Sequence, residues 1–153
     1  MFLVSACLAG INSRYDGKDN RIKHFQDLVA MGKALPVCPE QLGGLSTPRE
    51  PIELVGGDGE DILNGRAKAI GRSGADYTKE LLRGAEEVLK IAALVRAGTV
   101  FFKDDSPSCG CVHIKAGGRR IRGRGVTAAV LIKNGIKVEA VNNLQSTIDN
   151  SRI

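Results

Sequence analysis

Short apolar runs alternate along this chain with stretches of helical periodicity, and that alternation narrows its fold more than any other feature. Residues 2 to 6 (FLVSA) and 34 to 38 (ALPVC) are short, apolar and bounded by turn formers, as strands are. Between them, Asn20 to Gly32 places Ile22, Phe25, Leu28 and Val29 on one helical face. Gly32 stops that helix, and Pro39 ends the second strand. The order then repeats. Asp76 caps a helix in which Leu81, Leu82, Ala85, Val88, Leu89, Ala92 and Val95 form an apolar stripe, Gly98 closes it, and TVFF at 99 to 102 reads as strand. A helix at 125 to 134 and a strand over Lys137 to Val141 complete the pattern. Parallel strands connected through helices are the expected result: an α/β, three-layer Rossmann-like fold with a mostly parallel sheet.

The chain of 153 residues is expected to form one domain, residues 1 to 153, large enough to bury a core without a metal or disulfide to staple it. Glu40 to Gly74, rich in Gly and Pro, reads as a long irregular excursion forming a lid or site wall, with short apolar stretches at Ile52 to Val55 and Ala67 to Ile70. The last ten residues are polar and are expected to fray. MFLVSACLAG lacks the preceding positive charges of a secretory signal, and no segment approaches 18 consecutive apolar residues. A cytoplasmic protein with reduced thiols, away from membranes, is the expectation.

Three of the four cysteines stand just beyond predicted strands: Cys7 after FLVSA, Cys38 at the end of ALPVC, and Cys109 in the loop after TVFF. In an open α/β sheet such positions gather at the carboxyl edge, where ligands bind. Three soft sulfur ligands there suit an iron-sulfur cluster, zinc or copper. Any one of them alone reads as a small buried hydrophobe, but the turn-forming settings around all three favour a site. Cys111, two residues after Cys109, reads as a bystander. Glu40 follows Cys38 closely enough to bring a partly desolvated carboxylate to the same place as general base or acid, with Ser106 as a matching hydroxyl. Arg14 and Arg49 are candidates for gripping an oxygen-bearing substrate, or for pairing with Asp16 or Glu50.

Four segments carry a family resemblance: VSACLAG with RYDG, PVCPEQLGGL with PREP, the LNGRA to GADYT region, and KDDSPSCG with RGRGVTAAVL. Together they resemble the TudS-like thiouracil desulfidase family, over nearly all of residues 3 to 132. The resemblance implies a [4Fe-4S] cluster held by Cys7, Cys38 and Cys109, with one iron lacking a protein ligand. It further implies hydrolytic removal of sulfur from a thiolated pyrimidine such as 2-thiouracil, with Glu40 and Ser106 as catalytic groups. The chain departs from the family at Ser13, where many relatives carry a second cysteine after the first turn.

Two other readings stand beside it. Zinc held by the three thiols with His24 or His113 would make a structural site. Lys115, Arg119, Arg120, Arg122 and Arg124 crowd KAGGRRIRGRG, in a chain of net charge +5, and read as a solvated loop, as the wall of an active site that admits anionic substrates, or as the patch of an RNA or thiolated-nucleoside binding module. Only 4% of residues are aromatic, which leaves few stacking platforms for bases. The sequence holds no GxxxxGK[ST], HExxH or GxSxG, and no GxGxxG after the first strand, so the usual nucleotide-binding and hydrolase signatures are missing.

Overall fold

A computed structural model describes residues 1–142; the carboxyl-terminal stretch expected to fray lies outside them. The central sheet has four strands, β1 (Phe2–Ser5), β2 (Ala34–Val37), β5 (Thr99–Lys103) and β8 (Lys137–Val141), in the order β2-β1-β5-β8. All three pairings are parallel, with Leu3 beside both Leu35 and Val100, and Val100 beside Val138. Pro36 is tolerated because β2 is an edge strand, where a missing amide costs no ladder bond.

Alternation along the strands produces three layers. Leu3, Val100 and Phe102 face Val88, Ala92 and Leu131 of α4 (Thr78–Leu94) and α5 (Val126–Lys133). Val4 and Phe101 face the opposite way, onto Phe25 and Leu28 of α1 (Lys23–Ala30). The α/β class and the parallel sheet are as expected.

Helix ends differ in one instructive way. After α1, Gly32 takes the left-handed conformation (φ 69°) and Lys33 N–H returns to the Leu28 carbonyl. After α4 the same motif closes at Arg96 (φ 53°), with Ala97 N–H bonded to the Ala92 carbonyl, so Gly98 lies beyond the closure. At the other end of α4, Tyr77 is the cap residue, and Asp76 Oδ1 accepts the Thr78 N–H at 2.9 Å.

The 40 to 74 segment is more ordered than its composition suggests. It holds α2 (Pro39–Leu42), β3 (Ile52–Val55), α3 (Gly59–Leu63) and β4 (Lys68–Gly71), with β3 and β4 paired antiparallel. Ile52, Leu54 and Ala69 pack with Leu81, Ala85 and Val126, forming a second core on the outer side of α4 and α5. The basic run is likewise a hairpin and not a loop: β6 (His113–Ala116) and β7 (Arg119–Arg122) turn through Gly117 and Gly118, both at positive φ. A two-residue turn of that kind matches the twist of the flanking strands and requires residues without Cβ strain. Among the described residues no helix is long and apolar enough to cross a membrane.

Candidate metal centre and active site

The sheet's carboxyl edge assembles the site as its topology requires. Cys7 lies in a single 3-10 turn, Ala6–Ala9, directly after β1, and its carbonyl accepts the Asn20 N–H at 2.9 Å. Cys38 follows β2 and caps α2, with Pro39 at the first helical position, where a missing amide is harmless. Cys109 stands in the loop between β5 and β6, and its N–H donates to Ser106 Oγ at 3.1 Å. All three line one cavity of about 510 Å³, together with Glu40 and Ser106.

Cys111 does not join them. It lines a separate cleft with Asp58, Glu60 and Arg124, and burial together with the Asp104 charge pushes its thiol up to about 12.

Burial pushes the thiols of Cys7 and Cys38 up as well, and Cys109, the most buried, well above the ordinary range. Charge on Cys38 and Cys7 raises Cys109 further. Three thiolates there repel one another and resist desolvation, so a positively charged centre must compensate them for all three to ionise. Tetrahedral sulfur ligands on a single zinc ion stand about 3.8 Å apart. Among the described residues, only Asp104, Asp105 and His113 form a set of three ligand atoms mutually within 4.8 Å. The three thiols do not form such a set, so as they stand they are not gathered tightly around a single ion. Neither histidine completes a zinc set: His24 is on α1 and His113 Nδ1 faces Asp104 at 3.0 Å, and neither lines the thiol cavity. The donor set fits an iron-sulfur cluster with three protein ligands.

Around the thiols the polar groups are fixed. Glu40, in the first turn of α2, pairs with Arg49 (Nε to Oε1, 3.1 Å), and both side chains are nearly buried. The sequence offered Glu50 as a partner for Arg49, but Glu50 instead binds Ser73 and Tyr77. Arg14 lies on the cavity wall, held by Asp16 at 2.8 Å and Asn20 at 2.8 Å. Ser13, 2% exposed, presents its main chain to the site: its carbonyl accepts from Arg49 at 2.8 Å and from the Cys38 thiol at 3.7 Å. A position that serves through its carbonyl accommodates serine in place of cysteine.

Several lining residues escaped the sequence reading. Lys103 ends β5 and its ammonium bonds the Asp104 carbonyl at 3.2 Å; the strand-end rule that selected Cys7 and Cys38 would also have selected it. Glu53 comes from the β3 wall, which has no local motif, and Gly118 from the tip of the hairpin, whereas Lys115 lines the cavity as the reading of the basic run as a site wall allows. Arg120, from the basic run, is engaged by Asp105 and Asp104.

The architecture and site define a class: three-layer α/β proteins that collect soft sulfur ligands beyond the carboxyl ends of parallel strands. The profile of the 2-thiouracil desulfurase family matches residues 2–143, and the chain belongs to that family. It is 46% identical over 151 residues to the uncharacterized protein YbbK of Bacillus subtilis (strain 168), covering 97% of this chain and 100% of YbbK. Among solved structures it is similar to the [4Fe-4S]-dependent thiouracil desulfidase TudS, with a TM-score of 0.79 and 38% identity over 91% of this chain and 89% of that one.

Proposed function

We propose that this protein is a desulfidase that removes sulfur hydrolytically from a thiolated pyrimidine such as 2-thiouracil, using a [4Fe-4S] cluster held by Cys7, Cys38 and Cys109. One observation carries the reading: three thiols, and no fourth, line the cavity at the sheet edge. Such a cluster, when bound, supplies an iron with a free position for a soft thiocarbonyl sulfur, which leaves the attached carbon electrophilic. Family membership and the TudS likeness support the same assignment.

The chain's own groups supply the proton chemistry. The Glu40 carboxylate takes a proton from the water that attacks the thiocarbonyl carbon. The Ser106 hydroxyl, whose oxygen already accepts two main-chain N–H groups, has its proton left to donate as the C–S bond breaks. Arg14 lies on the wall where it can orient the pyrimidine oxygen. Thiocarbonyl and water become carbonyl and hydrogen sulfide, with no electrons gained or lost. The reaction suits a single-domain protein of the reducing cytoplasm, where the thiols stay available.

The test is anaerobic reconstitution with iron and sulfide, followed by analysis of bound iron, acid-labile sulfide and zinc, and by sulfide release from 2-thiouracil. About four irons per chain and turnover that disappears in Cys7→Ala, Cys38→Ala and Cys109→Ala are expected. Stoichiometric zinc without iron, or salt-sensitive RNA retention as the only activity, would overturn the reading.

A further inference from the structure

Arg49 is a cation with only 7% of its side chain exposed, in a protein where most guanidinium groups reach solvent. A buried guanidinium persists only if its N–H groups find acceptors, so its partners reveal what it is for. Its Nε donates to Glu40 Oε1. One terminal nitrogen donates to Thr47 Oγ1 at 2.9 Å and the Ser46 carbonyl at 3.2 Å. The other donates to the Ser13 carbonyl at 2.8 Å and faces Cys38 Sγ at 3.9 Å. Its main-chain N–H is held by the Tyr15 carbonyl at 2.8 Å. The fork is filled by protein acceptors, which leaves little of it for a substrate oxygen.

The Cys38 contact changes character when the cysteine serves as a ligand. As a thiol, Cys38 donates its proton toward the Ser13 carbonyl. As a thiolate it can only accept; the Gln41 and Glu40 main-chain N–H groups face it from the start of α2, and the side-chain donor beside it is the Arg49 nitrogen already bound to that same carbonyl. One planar cation therefore spans the carboxylate proposed as base and the sulfur proposed as ligand. These two residues lie on opposite sides of Pro39, at the start of α2.

From this geometry we infer that Arg49 is the positioning residue of the site: it sets the Glu40 carboxylate and donates a hydrogen bond to the Cys38 sulfur, coupling base and ligand through one guanidinium. The inference rests on the desulfidase reading and deepens it. Lysine keeps the charge but cannot reach Glu40, Ser13 and Cys38 together, because its donors radiate from one atom.

The experiment compares wild type, Arg49→Lys, Arg49→Gln, Glu40→Gln and the Glu40→Gln/Arg49→Gln double variant, each reconstituted anaerobically and normalised to bound iron. Wild-type turnover and iron content test the desulfidase reading separately. Given those, both Arg49 variants are expected to lose about 10- to 100-fold in kcat, with KM for 2-thiouracil changed less than about threefold. The double variant should be no slower than Glu40→Gln alone, since the two residues act as a unit. Without activity as the readout, the midpoint potential of the bound cluster should move to more negative values in Arg49→Gln, because a hydrogen bond to a ligand sulfur is lost. If Arg49→Gln does not hold iron, Arg49→Lys carries the same comparisons. A raised KM with unchanged kcat, multiplicative losses in the double variant, or an unmoved potential would each overturn the inference.

Discussion

Ser106 Oγ accepts the main-chain N–H of Cys109 at 3.1 Å, and that of Ser108 at the same distance, so the hydroxyl proposed to deliver a proton also shapes the turn that presents the thiol. The two duties separate by mutation. Ser106→Ala removes a turn-capping acceptor, an effect of about 1 kcal/mol on stability. Loss of a proton donor in the transition state would lower turnover by about 100-fold or more. Urea unfolding of the apo-protein and kcat per bound iron measure each part. A stability loss with turnover per iron intact would reduce Ser106 to a structural role.

Placement of Cys38 and Glu40 depends on how closely α2 approaches α4. Gly43 stands against the Glu80 carbonyl and Gly84 against the Pro39 carbonyl, so a methyl at either would meet backbone that cannot rotate away. For Gly84→Ala two effects oppose each other. Helix propensity favours alanine by about 1 kcal/mol, whereas the overlap forces α2 outward at about 1 to 3 kcal/mol or more. The overlap should win, giving net destabilisation and, because α2 begins at Cys38, less iron bound after reconstitution. Glu86→Ala, exposed on the same helix, should change stability by less than about 0.5 kcal/mol. Full iron loading in Gly84→Ala would show that α2 is not held by this contact.

These contacts indicate why part of the molecule was readable in advance. Helices α1, α4 and α5 and strands β1, β2, β5 and β8 follow from local periodicity, and parallel connection then brings Cys7, Cys38 and Cys109 to one edge without any spacing motif among them. What was unreadable depends on long-range pairing. Nothing near Ile52 announces that it will sit opposite Gly71, nor does the local sequence pair Arg49 with Glu40 in preference to Glu50. The hairpin was missed for a different reason: charge dominates KAGGRRIRGRG, but its Gly117-Gly118 pair is a legitimate hairpin signal. At Arg96 the sequence misleads outright, because Gly98 is the better left-handed residue but lies past the point where Ala97 closes the helix.

The hairpin tip is latched to the opposite wall. Gly118 N–H donates to Glu53 Oε1 at 3.0 Å, and both residues line the cavity. Glu53→Ala should leave global stability within about 1 kcal/mol while freeing the tip, since one exposed hydrogen bond contributes little to the whole fold. Amide exchange at Gly118 should accelerate in the variant, with exchange in the central sheet unchanged. Equal exchange at Gly118 in both proteins would mean that the turn holds itself.

Asp104 is a buried carboxylate that accepts several hydrogen bonds beside the site, and its acid response has a definite sign. Its carboxylate is 2% exposed; Oδ1 accepts the N–H groups of Cys111, Val112 and His113 at 3.0 to 3.2 Å, and Oδ2 meets His113 Nδ1. Burial alone would raise its pKa, but the bonds from His113, Val112 and Cys111 outweigh burial and hold the carboxyl below its ordinary value. With the folded pKa below the unfolded one, the stabilisation is complete above about pH 4 and is lost as pH falls through the depressed folded value. Because Asp104 anchors the loop that carries Ser106 and Cys109, that loss loosens the site itself. At neutral pH, Asp104→Asn should cost about 2 to 4 kcal/mol, as buried N–H groups lose a charged acceptor. Urea midpoints of the apo-protein measured from neutral pH down to about pH 2.5 should therefore fall more steeply for wild type than for the variant. Parallel acid limbs would assign the acid sensitivity to other carboxylates and remove Asp104 as the loop's anchor.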